Sequence, residues 1–262
     1  MKELYKRFEQ RQPLLARVAL AHLLLFVILF AGILIDDRIV TGVNIWLKPA
    51  KFALSISVYL FTMAWFFGEL KSRPRWLLVT IAVIICLSMS YEQVAITMQA
   101  ARETTSHYNN ESNFGAIVFA LMGLGVALNS AMAAIVFVLF MLTWEKGKEA
   151  YLAGIRVGLL IFLLGSAEGA VMIGSNAHTV GAPDGGPGWW PLFWSTIAGD
   201  LRVAHFIGIH GIQVLPFVGF LLDRNVKSLW FRYIAIVAFG SAYALLTIAA
   251  YQTAMQGRPG LL

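Results

Sequence analysis

Seven long apolar runs, separated by short polar or charged segments, dominate the chain. A helix that crosses the hydrocarbon core of a bilayer needs about 20 mostly apolar residues, and each run is long enough. Charged turns, such as those at residues 36–38, 71–75 and 145–149, separate the runs. The pattern predicts an all-α integral membrane protein, a single seven-transmembrane helix bundle over residues 1–262. The predicted helices span residues 14–35, 49–69, 76–107, 114–144, 151–175, 199–222 and 229–255.

Composition favours the same class of protein. Apolar residues make up 59% of the chain and charged residues only 13%, and the mean hydropathy is +0.73. Soluble domains carry about 25% charged residues, because their surface must be solvated by water. The first apolar run continues to Ile35 without the small-residue pattern of a signal-peptide cleavage site, so we expect it to remain as the first membrane helix. The lipid bilayer is therefore the predicted partner of most of the surface.

The distribution of basic residues predicts an orientation. If the N-terminus is cytoplasmic, 14 of the 20 Lys and Arg residues lie on the cytoplasmic side and 6 on the outer side. This bias follows the positive-inside rule. We therefore predict a multi-pass protein of a bacterial-type inner membrane, with a cytoplasmic N-terminus and an extracytoplasmic C-terminus. The net charge of +6 does not indicate a nucleic-acid partner, because the basic residues form short clusters between apolar runs.

Polar side chains recur on one face of the third predicted helix. Glu92, Gln99, Glu103 and Ser106 follow at intervals of seven, four and three residues, which places them in one narrow stripe of an α-helix. Ionisable groups inside a membrane are costly, so such a stripe indicates a partner, a water-filled cavity or a function.

The fifth and sixth predicted helices carry a second set of polar residues. Glu168 lies on the fifth helix, and Arg202, His205, His210 and Gln213 fall within an arc of about 140° on the sixth. With the predicted orientation, both sets lie in the outer half of the membrane. We therefore predict one outward-facing His/Glu pocket lined by the third, fifth and sixth helices.

Imidazole and carboxylate groups are ligands of zinc, iron and copper, so the pocket predicts a bound haem or transition-metal ion. Gly208 and Gly211 flank His210 and would let a flat macrocycle approach the helix, which favours haem and redox chemistry with a quinone or a small extracytoplasmic substrate. The predicted metal ligands are His205, His210, His107 and His178. The predicted cofactor-binding residues are Arg202, Arg102, Gln99 and Gln213, and the predicted catalytic residues are Glu92 and Glu168.

Two other functions fit the same residues. A non-catalytic transporter, receptor or accessory subunit would bind a small solute or a proton in the pocket. A metal-dependent membrane hydrolase would use Glu92 or Glu168 as general base toward a metal-bound water. His205 and His210 are five residues apart rather than four, so a shared metal would need ligands from other helices. The last predicted helix contains no lysine, which excludes a retinal pigment of the usual type.

Overall fold

A computed structural model describes residues 2–110 and 112–260 of the chain. Within these residues the fold is all-α, with eight helices and six strands of two residues each. The helices are α1 (Lys2–Arg11), α2 (Pro13–Ile35), α3 (Leu47–Phe67), α4 (Arg75–Ala101), α5 (Asn113–Met141), α6 (Glu149–Ser175), α7 (Leu201–Asn225) and α8 (Leu229–Met255). The strands are β1 (Ile39–Val40), β2 (Val43–Asn44), β3 (Thr179–Val180), β4 (Gly188–Trp189), β5 (Trp194–Ser195) and β6 (Gly199–Asp200).

Seven of the described helices, α2 to α8, are long and apolar enough to cross a membrane. The predicted helix count is therefore confirmed for the part of the chain that the structure covers. The last helix has the predicted bounds, and most other ends differ by one to three residues. The short helix α1 was not predicted.

The predicted third helix, 76–107, is too long at its C-terminal end. Helix α4 ends at Ala101, and Glu103 has a positive φ of 58°, which reverses the chain. The N–H of Thr104 then donates to the carbonyl of Gln99 at 3.0 Å and closes the turn. Glu103 and Ser106 therefore do not continue the helical stripe. The chain from 102 to 110 instead folds back along the end of α4.

The fourth and sixth predicted helices also need correction at their ends. Helix α5 ends at Met141 rather than 144, where the N–H of Thr143 donates to the carbonyl of Phe140 in a turn. Helix α7 begins at Leu201 rather than 199, because Gly199 and Asp200 pair with β3 as a short strand. It continues to Asn225 rather than ending at 222.

The chain divides into two compact units, residues 1–132 and 133–262. In the first unit, α2 packs along α3, and the Ser57 hydroxyl on α3 donates to the carbonyl of Ala19 at 2.8 Å. The hydroxyl of Tyr59 donates to Oδ1 of Asn129 at 2.9 Å, both of them buried.

Helix α1 is held against the C-terminal end of α3 within the first unit. The Arg11 guanidinium donates to Oε1 of Glu69 and to the carbonyl of Trp65, both at 2.8 Å, and it lies 3.7 Å from the centre of the Trp65 ring. Phe8 adds an aromatic contact, with its ring centre 4.8 Å from that of Phe61. This tertiary contact, rather than an apolar run, determines where α1 lies.

In the second unit, α6 and α7 pack backbone to backbone along a seam of small residues. A Cβ built on Gly158 would lie 2.7 Å from the carbonyl oxygen of Gly211, and one on Gly165 would lie 2.8 Å from the amide nitrogen of Ile209. Such close approach is possible only without side chains, as at other small-residue interfaces of membrane helices. Helix α8 joins this pair, and the Tyr243 hydroxyl donates to the carbonyl of Ile207 at 2.7 Å.

Candidate functional site

The polar stripe on α4 is buried in the first unit. Glu92 and Gln99 are only 4% and 1% exposed, and Ser88 is also buried. Among the described residues, Oε2 of Glu92 and Oε1 of Gln99 have no hydrogen-bond partner. The same holds for Oε1 of the buried Gln93, whose amide nitrogen donates to the carbonyl of Pro49 at 3.2 Å and to Thr97 Oγ1 at 3.0 Å. One helix therefore presents three buried oxygen acceptors that lack a donor.

The fold-back after α4 brings His107 to Glu92. Nε2 of His107 lies 3.4 Å from Oε1 of Glu92, and Nδ1 lies 3.2 Å from Nζ of Lys48, the second residue of α3. A lysine ammonium can only donate, so Nδ1 acts as an acceptor and the ring proton is on Nε2, facing the carboxylate. Lys48, His107 and Glu92 thus form one connected group, called here the charge cluster.

A cavity of about 270 Å³ lies at the end of α4. Gln99 and Arg102 line it, so two of the four predicted cofactor-binding residues meet in one place. The Arg102 guanidinium lies 4.5 Å from the centre of the Phe114 ring. The remaining described lining residues are Phe114, Thr104, Asn109 and Ser112. We call this space the α4 cavity.

Asn109 fixes the wall of the α4 cavity. Its side-chain amide nitrogen donates to Oγ1 of Thr104 at 3.0 Å and to the carbonyl of Thr105 at 2.9 Å. A Cβ at position 115 would lie 2.5 Å from Oδ1 of Asn109, so only glycine leaves room for this side chain. The fold-back is therefore a packed, hydrogen-bonded structure and not an open turn.

The α7 histidines lie in the second unit, and each is oriented by a backbone carbonyl. Nδ1 of His205 lies 2.7 Å from the carbonyl oxygen of Gly165 on α6, and Nδ1 of His210 lies 2.7 Å from that of Phe206 on its own helix. Because a carbonyl only accepts, Nδ1 carries the proton in both rings. Nε2 is then the lone-pair nitrogen of each ring, as in many metal-binding histidines.

The two histidines lie beside different neighbours. His205 packs on α6, where a Cβ at Gly169 would lie 3.3 Å from the ring. His210 packs on Phe206, with ring centres 4.1 Å apart. Glu168 adjoins Gly169 on α6, and its Oε2 has no hydrogen-bond partner within the ranges described. Gln213 lies three residues after His210 on α7.

The expected role of the glycines beside His210 is wrong. Gly208 and Gly211 face α6: a Cβ on Gly208 would lie 2.7 Å from Cα of Gly165, and one on Gly211 would lie 3.3 Å from Ile161 Cγ2. They allow two helices to approach and leave no room there for a macrocycle. These glycines therefore no longer favour haem or redox chemistry at His210.

Arg202 and His178 take part in a network around Asp200, the N-cap of α7. Arg202 donates through Nε to Oδ1 of Asp200 at 2.9 Å and through Nη2 to Oδ2 at 2.6 Å. Nδ1 of His178 lies 3.3 Å from Asp184 and 3.9 Å from Asp200. Burial alone would raise the pKa of Asp200, but the hydrogen bonds and positive charge of Arg202 lower it. Through these contacts, Arg202 and His178 hold the loop that precedes α7 in its fold, which explains why both residues are there.

The predicted site residues are thus divided between the two units. Unit one contains Glu92, Gln99, Arg102 and His107, and unit two contains Glu168, His178, Arg202, His205, His210 and Gln213. The single pocket lined by both groups stays a prediction. Within residues 2–110 and 112–260, no group of three or more His, Cys, Asp or Glu side chains is arranged to hold a metal ion.

Sequence reasoning missed Lys48 as a site residue. It lies directly before Pro49 at the start of α3, in a segment predicted to face outward. Positive charge is scarce on that side, which is the one sequence signal that could have identified it.

No protein-family model, no curated protein and no solved structure matches this chain.

Proposed function

We propose that this chain is a multi-pass membrane protein that binds a small polar solute from the outer side, without catalysis, as a receptor, transporter or accessory subunit would. The observation that carries the proposal is Gln99, which lines the α4 cavity and whose buried Oε1 has no hydrogen-bond partner among the described residues. Each buried acceptor without a donor costs about 1–3 kcal/mol, so it is seldom kept without a role. A solute in the α4 cavity with an N–H or O–H group would satisfy the acceptor of Gln99.

The charge cluster supports the same function. A buried carboxylate is stable in a membrane only with a compensating charge, a proton or a polar ligand. Lys48 provides the positive charge, and His107, 3.2 Å from Lys48 and 3.4 Å from Glu92, connects it to the carboxylate through its ring. His107 belongs to the same fold-back that lines the α4 cavity, so solute binding and the ionic state of Glu92 would be coupled.

Membrane insertion and sidedness form part of the proposal. The seven apolar helices support insertion, and the distribution of basic residues supports a cytoplasmic N-terminus. We expect an alkaline phosphatase fusion after Gly257 to be active and one after Lys146 to be inactive, because the enzyme folds only outside the cytoplasm. The reverse pattern would place the α4 cavity on the cytoplasmic side and refute this orientation.

Solute binding is tested by thermal stability of the full chain in mild detergent. A panel of small carboxylates, amino acids, amines and sugars is added at millimolar concentration, and a bound solute raises the melting temperature by mass action. We expect at least one class to stabilise the protein and Glu92→Gln to change its effect. Glu103→Gln is the matched control, because Glu103 is 58% exposed on the same loop and pairs with Arg38. No stabilisation by any class would refute the function.

A haem or metal site on α7 is a second candidate. The fixed Nδ1 atoms of His205 and His210, which leave Nε2 as the ligand atom, favour it. A Soret band or stoichiometric metal in the purified protein, lost in His210→Ala or His205→Ala, would support this site and direct attention to a quinone or small redox substrate. His22→Ala is the control, since Nδ1 of His22 also lies 2.8 Å from a backbone carbonyl, that of Val18. A colourless, metal-free and folded protein would refute the candidate.

A further inference from the structure

We propose that the ligand of the α4 cavity is a small carboxylate that also carries a hydroxyl or amino group. This inference rests on the proposed function and names the chemical class of the solute. It depends on three features of the cavity: the charge of its lining, one buried acceptor and its size.

The lining of the α4 cavity is positive. Arg102 is the only charged side chain among the described residues that line it, and the others are neutral. Within the same described part of the chain, the Arg102 guanidinium makes no ion pair, and its Cζ lies 4.5 Å from the centre of the Phe114 ring. Its N–H groups therefore remain for a ligand. A guanidinium binds a planar carboxylate through two parallel hydrogen bonds, which favours a carboxylate over a round anion.

Helix α5 adds to the positive potential. Ser112 caps the N-terminal end of α5. The Ser112 hydroxyl accepts a hydrogen bond from the N–H of Gly115 at 3.0 Å, and the Ser112 carbonyl accepts one from the N–H of Ala116 at 2.9 Å. Ser112 and Phe114 both line the cavity, so the first turn of a long helix borders it. The N–H groups of a first turn have no partner within the helix and favour an anion.

Gln99 requires a donor from the ligand. It is 1% exposed, it lines the cavity, and its Oε1 accepts no hydrogen bond from any described residue. A carboxylate alone cannot satisfy this atom, because carboxylate oxygens only accept. A hydroxyl or ammonium group on the same molecule can donate to it while the carboxylate binds Arg102.

The size of the cavity limits the ligand. Its volume of about 270 Å³ is below the range of about 300–1,000 Å³ that is typical of sites for drug-sized molecules. We therefore expect a molecule of a few carbon atoms, such as a hydroxy acid or a small amino acid.

The experiment is isothermal titration of the full-length protein in mild detergent with four matched probes. Lactate has the carboxylate and the hydroxyl, alanine has an ammonium in place of the hydroxyl, propionate lacks the donor, and lactamide lacks the charge. We expect lactate or alanine to bind about tenfold more tightly than lactamide, the lower end of what charged hydrogen bonds contribute, because Arg102 is partly solvated. Propionate should bind several-fold more weakly than the better of the two, and which of them binds more tightly identifies the donor.

The variants assign the contacts. Arg102→Gln should lower affinity for the best probe about tenfold and remove its advantage over lactamide, while Arg102→Lys should fall between the two. Gln99→Leu should remove the advantage over propionate and leave propionate affinity unchanged, a comparison that a general loss of folding would not reproduce. Arg38→Gln is the control, because Arg38 is an outer-side cation paired with Asp36 and Glu103 outside the cavity lining. Near-UV circular dichroism verifies the fold of each variant.

The outcomes separate this inference from the proposed function. If an amine, a sugar or lactamide binds as tightly as lactate and alanine, or if Arg102→Gln leaves the affinities unchanged, the proposal of a carboxylate ligand is refuted. The proposed solute-binding function is retained in that case. If inorganic phosphate binds more tightly than every carboxylate and its affinity is unchanged by Gln99→Leu, the proposal of a carboxylate ligand is also refuted. If no probe of any charge binds to the folded protein, the proposed function itself fails.

Discussion

The seam between α6 and α7 gives the sharpest test of the packing. Replacing Gly158 with alanine adds a Cβ that would lie 2.7 Å from the carbonyl oxygen of Gly211 and 3.2 Å from Cα of Ile212. Both neighbours are backbone atoms, so no side chain can rotate away and the helices must separate. The matched control is Gly123→Ala in α5, where the added Cβ would meet nothing within 4 Å.

The magnitude follows from two opposing terms. Glycine to alanine within a helix stabilises by up to about 1 kcal/mol in both variants, so this term cancels in the comparison. Overpacking against a fixed neighbour costs about 1–3 kcal/mol and applies to Gly158→Ala alone. Since about 2–4 °C corresponds to each kcal/mol for chains of this size, we expect the melting temperature of Gly158→Ala to be about 2–12 °C below that of Gly123→Ala.

The assay is thermal unfolding of both variants in the same detergent, followed by near-UV circular dichroism. Gly158→Ala should melt below the unmodified protein, and Gly123→Ala should melt at or above it. Equal melting temperatures for the two variants would show that α6 and α7 are not in backbone contact, and the argument from the seam would be refuted.

Three further perturbations test other contacts. Arg11→Gln should release α1 from α3 and speed limited proteolysis near residue 12, whereas the mostly exposed Arg17→Gln should not; equal cleavage rates would contradict the docking. Tyr59→Phe removes the donor to a buried amide and should lower the free energy of unfolding by about 1–3 kcal/mol, measured by denaturant titration, and an unchanged value would refute the hydrogen bond. Because the folded-state pKa of Asp200 is lowered, the ionised carboxylate stabilises the fold above about pH 4, and this contribution is lost as pH falls below that value. Asp200→Asn should abolish that part of the pH dependence of the melting temperature. A pH dependence of unchanged size in this variant would contradict the role assigned to Asp200.

The membrane helices were the most predictable part of the fold. Their length and apolar composition are local properties, so the apolar runs identify seven helices and most of their ends to within a few residues. Helix α1 was missed because it is amphipathic and short, and its position depends on the contact of Arg11 with Glu69, which is 58 residues away. The C-terminal end of α4 was misjudged because the helical spacing of Glu103 and Ser106 continues past the point where the backbone turns.

The candidate site was predictable only in part. Periodicity correctly grouped Glu92 with Gln99, because both lie on one regular helix. It could not bring His107 to Glu92, since that contact depends on a chain reversal, nor could it select Lys48 from another helix. The glycines around His210 were misread because sequence alone cannot tell a surface left open for a ligand from one occupied by a neighbouring helix.

The glycine seam also restricts how any solute could cross the membrane. Where Gly158 and Gly165 face α7, the two backbones leave no gap that a solvated molecule could use. If the side of the membrane from which a solute has access changed, α6 and α7 would therefore shift together as one rigid body. A permeation route would have to follow other helix faces. In a transporter, a cross-link between these two helices should accordingly leave solute transport intact.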